Sequence, residues 1–255
     1  MKDIVVCTAV EESKYEIYNI KFLINSFKKF HPNIDFVCFA GEDVKKLFKE
    51  KSWLNWSNAK ASFSKLLYND YKLVVNIDAD TIILGSLDEI FEADYEVGAC
   101  AAYNIQSNFG LNIKIPSTCV EKPFLVSEKE MVHCGILAST SKIFWDHYEE
   151  LCRTKSKQFV FSDCDLLCIL YYYGNYKTKV FEGHTDFDNI NHKFWYNVSS
   201  FGKEYKAIVN NDKIMLENKQ IKAYHWACGN DYPKMRYRER FTEDVSKKID
   251  QIISD

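Results

Sequence analysis

Apolar runs and amphipathic segments alternate along the first third of the chain. Short runs rich in β-branched residues predict strands over residues 4–10, 34–40 and 72–77. Apolar residues at helical spacing predict helices over residues 16–30 and 42–51. Because strands that alternate with helices pair in parallel through crossover connections, this pattern predicts an α/β fold.

A similar pattern continues through the rest of the chain, with one long exception. Residues 104–129 carry two prolines and no periodicity, and since long loops in compact domains are more often functional than idle, we expect this one to contact an acceptor. Asn211 and Asp212 separate two short apolar runs as the turn of a β-hairpin. The remaining patterns predict strands over residues 97–103, 131–139, 177–181 and 222–225. They predict helices over residues 59–67, 87–91, 141–154 and 237–253. A further helix is predicted to begin after Ser162, which would be its N-cap.

The composition fits a single domain in a reducing environment. A chain of 255 residues with 47% hydrophobic content can bury one large core, so we expect one domain over residues 1–255. The nine cysteines stand singly without a CxxC pair, which is typical of reduced thiols in a cytoplasmic protein. A net charge of −3 argues against nucleic-acid binding. The absence of an apolar run of about 18 residues argues against a membrane span, and the N-terminal sequence MKDIVVCTAV lacks the features of a signal peptide.

The predicted strand over residues 72–77 is followed by two carboxylates, Asp78 and Asp80. Burying an unpaired charge costs on the order of several kcal/mol, so a buried strand with this ending needs a partner for them. Residues two apart on an extended chain point the same way, so both carboxylates can face one point. Mn²⁺ or Mg²⁺ would satisfy them, since hard cations take oxygen ligands. Alternatively, the two residues only form a turn or cap a helix.

The segment over residues 57–91 resembles the nucleotide-sugar-dependent glycosyltransferases of the GT-A fold. The likeness is to family 8, which includes glycogenin and lipopolysaccharide galactosyltransferases. In these enzymes an Asp-x-Asp motif follows a strand and precedes a small helix, which we expect Ser86 to cap here. The matching residues are Asp78, Ala79, Asp80, Thr81, Gly85, Leu87, Asp88 and Phe91.

The resemblance implies an architecture and an activity. The architecture is a single GT-A domain with a Rossmann-like, mostly parallel sheet and helices on both faces. Residues 1–103 would form the nucleotide-binding half, and residues 104–255 the half that binds the donor sugar and the acceptor. The activity is metal-dependent transfer of a sugar from a nucleotide diphosphate sugar, here a UDP-sugar, to a hydroxyl of a glycan, lipid-linked or protein acceptor, with retention of the anomeric configuration.

The resemblance also assigns residues in the nucleotide-binding half. The Asp-x-Asp motif, including Ala79, would hold Mn²⁺ (or Mg²⁺) against the diphosphate. Thr8, Ala9 and Val10 would cradle the base, although a plain strand end explains them equally well. Lys60 would lie beside the donor sugar and the phosphates, with Lys65 as the alternative and a solvated helix lysine as the simpler interpretation.

Two further motifs imply donor-sugar contacts. The strand over residues 131–139 matches a family strand in which a glycine, here Gly135, lets the sugar approach, but His133 replaces the family's asparagine. Asp163 stands where the family has a carboxylate near the anomeric carbon, while Cys164 replaces its glutamine. Alternatively, Asp163 and Asp165 only complement a helix dipole.

The last motif lies near the C-terminus. His225 matches the family's histidine that provides the third protein ligand of the metal. Gly229 matches the glycine that follows this histidine in the family, although here it lies one residue further along the chain. Lys234 is the candidate phosphate contact, in competition with Arg236 and Arg238, because the order Pro-Lys here reverses the family's Lys-Pro. A lone histidine is more often structural, which is the alternative for His225.

Two other functions remain open from the sequence. A sugar-nucleotide nucleotidyltransferase also uses strand-end carboxylates and a divalent cation, but it usually has a glycine-rich loop after its first strand, whereas this chain has EESKYE there. A non-catalytic carbohydrate-binding protein with a degenerate site is favoured by His133 and Cys164. A glycosidase that uses Asp163 and Asp165 is disfavoured because neighbours in one segment rarely flank a bond. A homodimer is compatible with the sequence.

Overall fold

A computed structural model describes residues 2–11, 20–56, 58–101, 132–155, 162–181, 195–197, 207–216, 219–225 and 237–254. Within these residues, helices and strands are interspersed along the chain. The elements are β1 (Lys2–Ala9), α1 (Ile20–Phe30), β2 (Asp35–Phe39), α2 (Glu42–Glu50), α3 (Lys60–Lys65), β3 (Tyr71–Ile77), β4 (Thr81–Ile83), α4 (Asp88–Phe91), β5 (Val97–Ala101), β6 (Val132–Ser139), α5 (Lys142–Lys155), α6 (Ser162–Tyr173), β7 (Thr178–Phe181), β8 (Trp195–Asn197), β9 (Ile208–Asn210), β10 (Lys213–Leu216), β11 (Lys219–Gln220), β12 (Ala223–His225), α7 (Tyr237–Arg240) and α8 (Glu243–Ile253).

The central sheet has six strands in the order β2-β1-β3-β6-β5-β7. The first three strands pair in parallel, as their alternation with helices predicts. Strand β6 runs antiparallel to both of its neighbours, and β7 is parallel to β5, so the sheet is mixed but mainly parallel. Strand β3 lies in the middle of the sheet, which confirms the prediction for the strand that precedes Asp78.

Helices cover both faces of this sheet. Strand β1 shows why, since Val5 and Cys7 point into one core and Val6 into the other, with the period of two expected of a strand. Helices α2, α3, α5 and α6 pack on the first face, where Trp145 and Tyr148 are among the largest fully buried side chains. Helix α1 covers the second face. The α/β class with helices on both faces is confirmed.

Six short strands of the described chain lie outside the central sheet. Strands β4, β12 and β8 form a three-stranded sheet, and β9, β10 and β11 form another. The turn between β9 and β10 consists of Asn211 and Asp212, which both have positive φ, at 46° and 66°. Two central residues with φ > 0 define the type I′ turn that matches the twist of a hairpin, so the predicted hairpin is confirmed.

Two predictions about helices are wrong. The C-terminal helix expected over residues 237–253 is two helices, because Thr242 has an extended ψ of 161° and forms the N-cap of α8. Ser86 is not the N-cap of α4. Leu87 occupies that position, and the Ser86 hydroxyl instead accepts a hydrogen bond from the Asp88 amide at 3.3 Å.

Other expectations concern cysteines, membranes and the long loop. Seven cysteines lie in the described part of the chain, and all of them are free thiols. In the same part of the chain, no helix combines the length and the apolar character that a membrane span requires. The predicted acceptor loop over residues 104–129 lies outside the described residues, as does the Ser162 side chain.

Candidate active site

The carboxylates of the Asp-x-Asp motif lie where the central strand leaves the sheet. Residues 73–77 of β3 are buried, and the Asp78 amide donates a hydrogen bond of 2.8 Å to the Gly135 carbonyl of β6, which fixes the end of the strand. The chain then turns at Ala79 and Asp80 before it continues as β4. A turn, rather than the extended backbone expected from the sequence, therefore brings the two carboxylates together.

His225 joins these carboxylates from the far end of the chain. Strand β12 pairs antiparallel with β4, and the register places His225 opposite Thr81, one residue from Asp80. The His225 Nε2 atom lies 2.9 Å from Asp80 Oδ1 and 3.6 Å from Asp78 Oδ2. The family resemblance implied that His225 would meet the two carboxylates, and β12 delivers it from the small sheet β4-β12-β8 and not from the central sheet.

The donor atoms of Asp78, Asp80 and His225 all lie within 4.8 Å of one another. Two carboxylates and one imidazole form an oxygen-rich donor set with a single borderline nitrogen. His225 is 4% exposed and the Asp80 side chain 14%, so few waters compete with the protein ligands. The residues therefore fit a divalent cation such as Mn²⁺ or Mg²⁺ on their chemistry and their spacing.

The pKa values of these groups reflect burial among opposite charges. Loss of hydration raises the pKa of Asp78, and this effect outweighs the opposing charges of Lys60 and His225. Burial alone would lower the pKa of His225, but the nearby Asp80 and Asp78 carboxylates raise it above its ordinary value. Burial, with the charges of His225 and Lys60, lowers the pKa of His133 well below its ordinary value. The pair of carboxylates thus attracts positive charge to this point.

Lys60 connects the two carboxylates to a second part of the site. Its Nζ atom lies 2.8 Å from Asp78 Oδ1 and 3.2 Å from Asp163 Oδ2. Burial would lower its pKa, but Asp78, Cys134 and Asp163 together raise the pKa well above the ordinary value. Lys65, the alternative, lies away from the site and pairs with Asp146 and Glu149.

The predicted donor-sugar residues lie on β6 and at the start of α6. His133 Nδ1 accepts a hydrogen bond of 2.8 Å from the Gly135 amide, and the His133 ring lies 5.4 Å from that of His225. Asp163 accepts hydrogen bonds from Lys60 and from Cys134, whose Sγ is 3.0 Å away. Sequence reasoning missed Cys134; its position next to Gly135 was the signal.

The ends of β1 and β3 border a cleft beside Asp78. Thr8, Ala9 and Val10 line this cleft, and their role in holding a base stays a prediction. Trp56 also lines it and was missed, although an aromatic residue four positions before Lys60 was a usable signal. The Trp56 ring packs on Phe48 at 4.9 Å between centroids, which holds it at the edge of the cleft.

The remaining predicted residues lie outside the site as described. Gly229, Lys234 and Arg236 fall within residues 226–236, outside the described part of the chain, so their roles stay predictions. Arg238 pairs with Asp250 at 3.0 Å on the protein surface.

Solved structures of glycosyltransferases share this architecture. The galactosyltransferase LgtC, solved in complex with donor and acceptor sugar analogues, has a TM-score of 0.50 and 13% identity, and the match covers 98% of this chain and 95% of LgtC. The bifunctional glycosyltransferase WbbM has a TM-score of 0.54 and 16% identity over 100% of this chain and 50% of WbbM. The chain has the GT-A fold. The resemblance found in the sequence is thus confirmed at the level of the fold.

A more distant match is the glycosyltransferase GlyE of Streptococcus pneumoniae TIGR4, with a TM-score of 0.46, 13% identity, and coverage of 71% of this chain and 46% of GlyE. The chain therefore spans about half the length of WbbM and of GlyE. No protein-family model matches the sequence, and no curated protein is significantly similar to it.

Proposed function

We propose that the chain is a metal-dependent glycosyltransferase that moves a sugar from a nucleotide diphosphate sugar, such as a UDP-sugar, to a hydroxyl acceptor with retention of configuration. The observation that supports this most directly is the meeting of Asp78, Asp80 and His225 at the end of the central strand, beside the cleft lined by Thr8, Ala9 and Val10. Ligands of open α/β sheets bind beyond the carboxyl ends of the strands, which is where this cleft lies.

Asp78, Asp80 and His225 would hold Mn²⁺ or Mg²⁺. When bound, the cation supplies Lewis-acid stabilisation of the negative charge that develops on the leaving nucleotide diphosphate. His225 lies on β12, which pairs in register with β4, and Asp80 directly precedes β4, so the strand pairing holds these two side chains together before any ligand binds.

The other residues of the site bind and orient the donor. Trp56 offers an aromatic face to the base at the cleft edge, since base–aromatic stacking tolerates any base. The Lys60 ammonium, held between Asp78 and Asp163, adds positive charge next to the diphosphate. The Asp163 carboxylate would orient the donor sugar or stabilise positive charge at its anomeric carbon, with His133 and Gly135 on the neighbouring strand. Gly229 and Lys234 would complete the diphosphate site.

The proposal is tested by incubating the purified chain with a panel of nucleotide sugars and Mn²⁺ and measuring release of the free nucleotide diphosphate. We expect release with at least one UDP-sugar and none when EDTA is present. Asp80→Asn should lower the release by roughly a hundredfold, whereas Asp88→Asn serves as the matched control because the Asp88 side chain is 77% exposed on the helix that follows. Binding of a nucleotide sugar without turnover would indicate a carbohydrate-binding protein. Formation of a nucleotide sugar from a nucleoside triphosphate would indicate a nucleotidyltransferase.

A further inference from the structure

A cluster of two thiols and a carboxylate lies beside Lys60, whose ammonium also contacts Asp78 of the Asp-x-Asp motif. Cys134 Sγ is 3.2 Å from Cys164 Sγ and 3.0 Å from Asp163 Oδ2. One donor atom of each of these residues lies within 4.8 Å of the others. Strand β6 contributes Cys134 and the first turn of α6 contributes the other two, so the backbone around the cluster is regular secondary structure.

The cluster already binds one positively charged group, the Lys60 ammonium. Its Nζ lies 3.0 Å from Cys134 Sγ and 3.2 Å from Asp163 Oδ2. Both cysteine side chains are buried, at 1% and 7% exposure, and the Lys60 and Asp163 side chains are 15% and 14% exposed. A cation in this position would therefore be held by sulfur and oxygen atoms with little competition from water.

We propose that Cys134, Cys164 and Asp163 form a second cation site, selective for a thiophilic divalent cation such as Zn²⁺, which binds in place of the Lys60 ammonium. Two thiolates and a carboxylate are a donor set that zinc takes, with a fourth position left for water or another ligand. On binding, each thiol releases its proton to solvent and forms a sulfur–metal bond, so two protons leave and no group is oxidised. The Lys60 ammonium moves away and keeps Asp78 as its partner.

The geometry requires only a small adjustment. Zinc–sulfur bonds are about 2.3 Å long, so two sulfurs on a tetrahedral ion lie about 3.8 Å apart. The present separation of 3.2 Å therefore has to widen by about 0.6 Å. The donor chemistry separates this site from the one formed by Asp78, Asp80 and His225, because soft sulfur ligands select zinc-like cations while carboxylates select Mg²⁺ and Mn²⁺.

The site is tested with Co²⁺, a spectroscopic substitute for Zn²⁺, titrated into the full chain under reducing conditions without any nucleotide. We expect one equivalent to produce a thiolate-to-cobalt charge-transfer band that Zn²⁺ abolishes. Cys164→Ser should at least halve the band, because one of the two thiolate ligands is lost, and should weaken binding by at least about tenfold, since loss of a ligand costs no less than loss of an outer partner. Cys168→Ser is the matched control, because Cys168 is also buried on α6 but its thiol contacts the Val132 backbone.

Two more variants keep the test decisive. Lys60→Met should tighten Co²⁺ binding, since the competing ammonium is gone, and a purely structural cluster would show no such gain. Asp80→Asn should leave the charge-transfer band unchanged, since this band reports sulfur ligands only. The proposal is overturned if the unmodified chain gives no band, or if the band keeps its full intensity in both Cys164→Ser and Cys134→Ser. Because no nucleotide or turnover enters this measurement, either result leaves the proposed transferase activity to its own test.

Discussion

His225 Nε2 lies 2.9 Å from Asp80 Oδ1, although 145 residues separate the two along the chain. The contact depends on the antiparallel pairing of β12 with β4, in which Ala223 faces Ile83 and His225 faces Thr81. A shift of one residue in this register would turn the imidazole to the other face of the small sheet. The candidate cation site therefore depends on a strand pairing as well as on its three ligands.

Replacing His225 tests whether it is a ligand or only a structural residue. We expect His225→Ala to weaken Mn²⁺ affinity and to raise the Mn²⁺ concentration needed for activity, because the cation loses its only nitrogen donor in the described site. Isothermal titration with Mn²⁺ measures the first effect, and His147→Ala is a control because His147 contacts Tyr176 away from the site. Unchanged Mn²⁺ affinity together with a markedly lower melting temperature would make His225 a core histidine.

Replacing Asp80 tests the cation's contribution to the reaction. Asp80→Asn keeps the shape of the side chain but removes one negative charge from the ligand set. A loss of about 3 kcal/mol of transition-state stabilisation corresponds to a fall in kcat of roughly a hundredfold. Steady-state release of nucleotide diphosphate measures the change, with Asp88→Asn measured in parallel. Near-normal turnover in the Asp80 variant would reduce Asp80 to a turn-forming residue.

The nucleotide should depend on the cation for its binding. UDP at about 100 times its dissociation constant stabilises the native state by about 2.7 kcal/mol, because it binds only the folded chain. We expect the melting temperature to rise with UDP and Mn²⁺ together, and to stay unchanged with UDP in EDTA. An equal rise in EDTA would contradict a role for the cation in holding the diphosphate.

Trp56 offers a test of the cleft that is independent of the cation ligands. Stacking of a base on an aromatic ring contributes on the order of 1–3 kcal/mol, so Trp56→Ala should weaken UDP binding by about tenfold. Titration of UDP in saturating Mn²⁺ measures the effect. Trp53→Ala is the control, since Trp53 is also half-buried against the same core but does not line the cleft. Equal affinities in the two variants would exclude the base from this side of the cleft.

Glu149 gives the chain a pH-dependent contribution to stability. Burial would raise the pKa of this carboxyl, but its contacts with Lys51, Lys65 and the Ser62 hydroxyl outweigh burial and lower the pKa below 4.5. A lowered pKa in the folded state adds stability that is fully present above pH 4.5 and is lost as the pH falls through the folded-state value.

Urea unfolding of Glu149→Gln at neutral pH and below pH 4.5 measures this contribution. We expect the variant to be less stable than the unmodified chain at neutral pH, and the difference to shrink in acid. Glu150→Gln is the control, because Glu150 is exposed and pairs only locally with Arg153 in the described contacts. A difference that is the same at both pH values would mean that Glu149 contributes through packing alone.

The sequence by itself determined the elements and the identity of most candidate ligands. Periodicity is a local property, so the strand that precedes Asp78, the helices on either side of the sheet and the hairpin at Asn211 could be read without a structure. The Asp-x-Asp motif indicated its own chemistry, since two carboxylates at the end of a buried strand need a partner. The choice of Lys60 before Lys65 came from the resemblance to the glycosyltransferase family.

The tertiary structure decided which distant groups meet. Local sequence preferences do not predict that β12 pairs with β4 and not with a strand of the central sheet. Strand pairing depends on hydrophobic cores formed by residues far apart in sequence. The same holds for Trp56 at the cleft and for Cys134 beside Cys164, which lie 30 residues apart and in different elements. Burial then sets the chemistry of these groups, since the desolvation that raises the pKa of Asp78 exists only once the fold excludes water.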